Sequence, residues 1–101
     1  MDLSSLENML IEIVEEINQN KDNPALQNPG SDTELYNVVS GNLNLDSLDL
    51  FYLLSSMQDN ISDETGKSIN LLDVSIIHIE NSPLQTVGSL AKYASELIDA
   101  Q

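Results

Sequence analysis

The chain has 101 residues, of which 41% are hydrophobic and only 4% aromatic, so it can build one small core, mostly of Leu, Ile and Val. Seventeen acids face three lysines (Lys21, Lys67, Lys92) and no arginine, for a formal net charge of −14; phosphate binding needs a basic footprint, so nucleic acid is excluded as a partner, and an anionic membrane would repel the surface. There is no cysteine, which excludes disulfides, thiolate catalysis and cysteine zinc sites, so any thiol chemistry must come from an attached group.

Met1-Asp2-Leu3-Ser4 lacks the basic end and apolar run of a signal peptide. No apolar stretch is long enough to span a bilayer. A cytoplasmic protein without direct membrane insertion is expected. The length and the lack of repeats or long heptad runs predict a single domain over 1–101, with a monomer expected.

Residues 3–19 predict the first helix. Ser4 and Glu7 have capping-box spacing. Leu6, Leu10, Ile13 and Ile17 form one stripe, with Glu7, Glu12, Glu15 and Glu16 mostly off it. Residues 20–45 read as a long connection broken by Pro24, Pro29, Gly30 and Gly41. Glu34–Val39 is read as a helical turn or as a loop; the loop is preferred, pinned by Leu35, Val38 or Val39, and Leu43.

Residues 47–61 predict the second helix, with Leu50, Leu53, Leu54, Met57 and Ile61 on its buried face. Leu48, Phe51, Tyr52 and Ser55 fall nearer the outer face, where Leu48 and Phe51 suggest a docking patch. Asp46 suits the N-cap and Asp49 the first turn, making Ser47 the first helical residue with its hydroxyl at the surface. Residues 62–74 read as a second loop around Gly66. Ser75–Ile79 is either a strand by its β-branched content or a short helix; with no strand to pair it, the helix is preferred. Pro83 ends that unit. Thr86 or Gln85 opens the last helix, which runs to about Ile98, with Val87, Leu90, Ala94 (or Tyr93) and Leu97 on its apolar face.

Three motifs fall short of the chemistry they suggest. Gly66-Lys67-Ser68 looks like the end of a phosphate-binding loop, but Ile61 stands where its first glycine is required. Asn42, Asn44 and Asp46 are spaced like the opening of a calcium-binding EF-hand loop. Ser47 and Leu53 occupy the positions that need glycine and a bidentate glutamate. His78 is the only histidine, and the glycine-flanked serine turn of the hydrolases is absent. No catalytic residue and no metal site is assigned.

Leu45-Asp46-Ser47-Leu48-Asp49 resembles the attachment motif of acyl carrier proteins, the small acidic helical carriers of fatty-acid and polyketide synthesis. Leu43 looks like the leucine of the family's loop lead-in. Leu84-Gln85-Thr86-Val87-Gly88-Ser89-Leu90 looks like the start of its last helix. The resemblance covers nearly the whole chain in order. It implies an all-α, acyl-carrier-like four-helix bundle, with three longer helices, a short third helix and long inter-helix loops. It also implies that Ser47 carries 4′-phosphopantetheine, placed there from coenzyme A by a phosphopantetheinyl transferase using Mg²⁺. Asp46 and Asp49 would meet a basic transferase, and Leu48, with Phe51 and Tyr52, the acyl-loading, condensing or acyl-transfer enzymes. The second helix lacks the family's usual glutamates, and Phe51 and Tyr52 are bulky for their places. These departures point to a specialised discrete carrier of a fatty-acid, lipid or polyketide pathway. A peptidyl or aminoacyl carrier and an unmodified interaction module of the same fold are the alternatives.

Overall fold

The structure, a computed structural model, describes residues 2–37, 40–71 and 83–100. Three α-helices, α1 (Leu3–Lys21), α2 (Ser47–Thr65) and α3 (Val87–Asp99), make most of it. A 3₁₀ turn (Pro24–Leu26) and a two-stranded hairpin, β1 (Tyr36–Asn37) with β2 (Asn42–Leu43), lie between α1 and α2. The architecture is mostly helical, as an all-α fold requires. The short helix expected at 75–80, with His78, lies outside the described residues, as do Val38 and Val39.

The first helix begins two residues earlier than a Ser4–Glu7 box allows. Asp2 is the N-cap, its carboxylate accepting the Ser5 N–H at 2.8 Å. Ser4 is therefore inside the helix; an acid at the cap also meets the positive end of the helix dipole. The stripe Leu6, Leu10 and Ile13 is buried as predicted, together with Met9 and Val14, while Ile17 is partly buried. The helix stops at Asp22, in the left-handed region at φ 52°. Just beyond, Asn18 and Asn23 clasp each other: the Asn23 N–H donates to Asn18 Oδ1 (2.7 Å) and Asn18 Nδ2 to the Asn23 carbonyl (3.2 Å).

The second helix buries Leu50, Leu53, Leu54, Met57 and Ile61, the five residues its spacing selects. It runs to Thr65 rather than ending near Ile61. Ser62, Asp63 and Glu64 continue it at the surface, and the stop is Gly66, whose φ of 70° suits glycine and whose N–H reaches the Ser62 carbonyl at 2.9 Å. In α3, Thr86 is the N-cap and exchanges hydrogen bonds with Ser89. Val87, Leu90, Ala91, Ala94 and Ile98 are buried. Leu97 and Tyr93 are only partly covered, because the 87–91–94–98 spacing, not 97, stays in line with the core.

The long connection is structured. Residues 31–36 run along the start of α3 through four backbone hydrogen bonds: Leu35 N–H to Gln85 O (2.8 Å), Tyr36 N–H to Leu84 O (3.1 Å), Val87 N–H to Thr33 O (3.0 Å) and Gly88 N–H to Ser31 O (2.8 Å). The last two satisfy N–H groups that the first turn of α3 leaves unpaired. A Cβ on Gly88 would lie 3.1 Å from the Ser31 carbonyl oxygen, so glycine permits this approach. The described residues 34–37 make no helical turn: Glu34 bridges Thr86, Tyr36 pairs with Leu43 and Asn37 with Asn42. Leu35 is a pin, as expected, and so are Leu26, Tyr36 and Leu45. Leu43 is not: it is 51% exposed. The inward backbone anchor falls instead at Leu45, whose N–H bonds the Leu35 carbonyl at 3.1 Å. One hydrophobic cluster joins the three helices, the 3₁₀ turn, this lead-in and Ile69, Leu71 and Leu84. Among the described residues no helix is long and apolar enough to cross a membrane.

Candidate functional site at the start of α2

Asp46 has extended backbone (φ −86°, ψ −178°) and caps α2. Its Oδ1 accepts the Asp49 N–H at 2.8 Å, and its carbonyl accepts the Leu50 N–H at 2.9 Å. The Asp49 N–H, and beyond it the charge of Lys21, holds the Asp46 carboxyl below the usual carboxylate range. Ser47 is the first helical residue and is exposed. The sequence-based reading of cap, first-turn acid and surface hydroxyl therefore corresponds to the geometry.

The first-turn acid has an additional partner. Lys21, in the last turn of α1, reaches Asp49 Oδ2 at 3.0 Å. Each of the two aspartates thus has one carboxylate oxygen engaged within the chain, which lowers the negative potential beside Ser47.

The outer residues of α2 divide between two sides. At about 3.6 residues per turn, Ser47 and Phe51 share one side of the helix, whereas Leu48 and Tyr52 share another. Leu48 is 82% exposed and Phe51 60%. Leu48, Asp49 and Tyr52 form one wall of a groove of about 470 Å³, and Glu16, Ile17, Gln19 and Asn20 of α1 form the other. The Tyr52 hydroxyl donates to Glu16 Oε1 across this groove, and that bond raises the phenol above its ordinary value of 10.0. Asp46, Ser47 and Phe51 lie outside the groove lining.

Upstream of the cap, Glu34 is a hub. Its Oε2 accepts from Asn37 Nδ2 (2.7 Å) and Ser40 Oγ (2.9 Å), and its Oε1 from Asn42 Nδ2 (2.8 Å). Its main-chain carbonyl accepts from Asn44 Nδ2 at 2.7 Å. The bonds from Asn42, Ser40 and Asn37 hold its carboxyl below the ordinary value. Sequence reasoning missed Glu34, Lys21, Glu16 and Ile17 as parts of this region. The signal for Glu34 was one acid within a run of Asn and Ser donors over 37–44; for the other three there was none, because they approach from a distant helix.

The remaining motifs have structural roles. Asn42 and Asn44 direct their amides at Glu34. Lys67, next to the Gly66 cap, donates to the Ile98 carbonyl at 3.2 Å, at the negative end of α3. Among the described residues no group of three or more acidic, histidine or cysteine side chains is arranged to hold a metal ion.

Comparison with protein-family models, with curated proteins and with solved structures finds no match to this chain.

Proposed function

We propose that this chain is a non-catalytic acyl carrier, with 4′-phosphopantetheine attached at Ser47, in an acyl-carrier-like four-helix fold. The observation that carries the reading is the exposed Ser47 hydroxyl at the Asp46-capped start of α2, within Leu45-Asp46-Ser47-Leu48-Asp49. The residues present fit the group. A phosphate on Ser47 would sit at the positive end of a 19-residue helix. The engagement of Asp46 with the Asp49 N–H, and of Asp49 with Lys21, reduces the repulsion it would meet. An exposed hydroxyl is within reach of a modifying enzyme.

The chemistry is a phosphoryl transfer. The Ser47 oxygen forms a bond to the phosphorus of coenzyme A that bears the pantetheine. The pyrophosphate bond breaks, the adenosine bisphosphate leaves with the electron pair, and the serine proton passes to a base on the phosphopantetheinyl transferase. Once attached, the arm supplies a terminal thiol on which acyl cargo is held as a thioester.

The Leu48 and Tyr52 side of α2 supports docking of acyl-loading, condensing or acyl-transfer enzymes, because the α1–α2 groove lies next to Ser47 without covering it. Asp46, Asp49 and Phe51 flank that surface. Its partners are basic protein surfaces, drawn by a net charge of −14. The carrier acts as a cytoplasmic monomer in fatty-acid, lipid or polyketide synthesis, or as a peptidyl or aminoacyl carrier. The same groove supports one other reading, an unmodified interaction module.

Intact-protein mass after incubation with coenzyme A, Mg²⁺ and broad-specificity phosphopantetheinyl transferases separates the two. A gain of one phosphopantetheine on the wild type, absent from Ser47→Ala, is the expected result. No gain with several transferases, and none on protein from its native host, overturns the carrier reading in favour of the module.

A further inference from the structure

Among the described residues of the segment that delivers Ser47 to the surface, apolar anchors are few. Between the buried Tyr36 and Leu45, the residues Ser40 to Leu43 are exposed. A stretch of this kind has no packing to hold its shape, and polar bonds must do so. Three of them converge on one side chain. The Glu34 carboxylate gathers Asn37, Ser40 and Asn42, and the Glu34 carbonyl takes Asn44, two residues before the α2 cap. Asn37 Oδ1 in turn accepts the Ser40 N–H at 3.2 Å, so its amide orientation is determined from both ends. Glu34 is itself fastened to α3, through an antiparallel bridge to Thr86 and the flanking Leu35–Gln85 bond.

We infer that Glu34 is a positioning residue for modification: it ties the 37–44 lead-in to the start of α3 and so holds the Asp46–Ser47 turn in the shape the transferase must meet. This rests on the carrier reading. Glu34 touches neither Ser47 nor the reacting atoms; its carboxylate acts through Asn37, Ser40 and Asn42, and its main-chain carbonyl holds Asn44 beside them. Only a carboxylate fits the role. It offers two oxygens to three donors, whereas glutamine at 34 would offer one oxygen and turn an N–H₂ group toward another donor. Such a mismatch loosens the exposed loop and leaves the buried cluster of α1, α2 and α3 intact.

The test compares wild type, Glu34→Gln, Glu34→Asp and Glu12→Gln, the last removing one exposed acid elsewhere so that the loss of charge is matched. Amide hydrogen exchange over 40–45, thermal melting, and kcat and KM for phosphopantetheinyl transfer are measured on each. In Glu34→Gln, faster exchange at 40–45, an almost unchanged melting temperature and a fall in kcat/KM on the order of tenfold against Glu12→Gln are expected. Glu34→Asp, which keeps the charge but is one methylene short, should fall between. Exchange at 40–45 equal to wild type, or kcat/KM equal to that of Glu12→Gln, overturns the inference. A wild type that no transferase modifies overturns the carrier reading and the positioning role together, while the exchange result still reports separately whether Glu34 orders the loop.

Discussion

Lys21 and Asp49 meet at 3.0 Å, joining the last turn of α1 to the first turn of α2 across 28 residues of sequence. Both side chains are about a quarter exposed, so solvent screens the pair, and its contribution is below about 1 kcal/mol. Lys21→Met should lower stability by no more than that in urea unfolding, and the difference should shrink at high salt. A salt-independent loss would mean that the lysine stem, rather than its charge, supports the contact.

Asp46 is the sole side-chain cap of the helix that carries Ser47. Asp46→Ala should lower the melting temperature by about 4 °C, as loss of an N-cap in a chain of this size does, whereas Asp46→Asn, another good cap, should fall much less. Equal melting of the alanine and asparagine variants would show that the cap bond to Asp49 is not stabilising.

Leu48 and Leu54 lie less than two turns apart on α2 but differ in exposure, 82% against 2%. Leu54→Ala should cost about 2–5 kcal/mol through the cavity it leaves. Leu48→Ala should leave urea unfolding unchanged and slow loading by a partner enzyme. Destabilisation by Leu48→Ala would move that residue from the docking surface to the core.

Asp2, Glu34 and Asp46 each have a carboxyl held below its ordinary value, 3.8 for the aspartates and 4.5 for the glutamate. For groups shifted this way, the stabilisation is present above the unfolded-state value and is lost as pH falls through the folded-state value. The extra protection of amides 40–45 in wild type over Glu34→Gln should therefore shrink more between neutral pH and pH of about 3.5 than between pH 8 and neutral. A constant difference across both intervals would count against a charged Glu34 as the acceptor of the three bonds.

The net charge of −14 should speed encounter with a basic transferase. Its kcat/KM toward this chain should fall as salt rises, mainly through KM. A rate indifferent to salt would leave apolar contact at Leu48 and Tyr52 as the principal recognition.

Local chemistry was legible wherever it was written within one turn of helix. Asp46 capping onto Asp49, the Ser47 hydroxyl at the surface, and the split of α2 into buried Leu50, Leu53, Leu54, Met57 and Ile61 against exposed Leu48 and Phe51 all follow from spacing, because helical geometry fixes which neighbours share a face. Where two local signals competed, spacing alone chose wrongly. Ser4–Glu7 yielded to Asp2, and Leu97 yielded to Ile98.

The three described helices, the acidity and the place of the candidate serine were readable from the chain, since these depend on residues adjacent in it. Packing brought Lys21 to Asp49, the Tyr52 hydroxyl to Glu16, and the loop that leads to Ser47 to Glu34. Polar partners far apart in sequence leave no periodicity to read. Their meeting depends on how α1 and α3 pack, and that is fixed by the shared hydrophobic core rather than by the charged groups themselves.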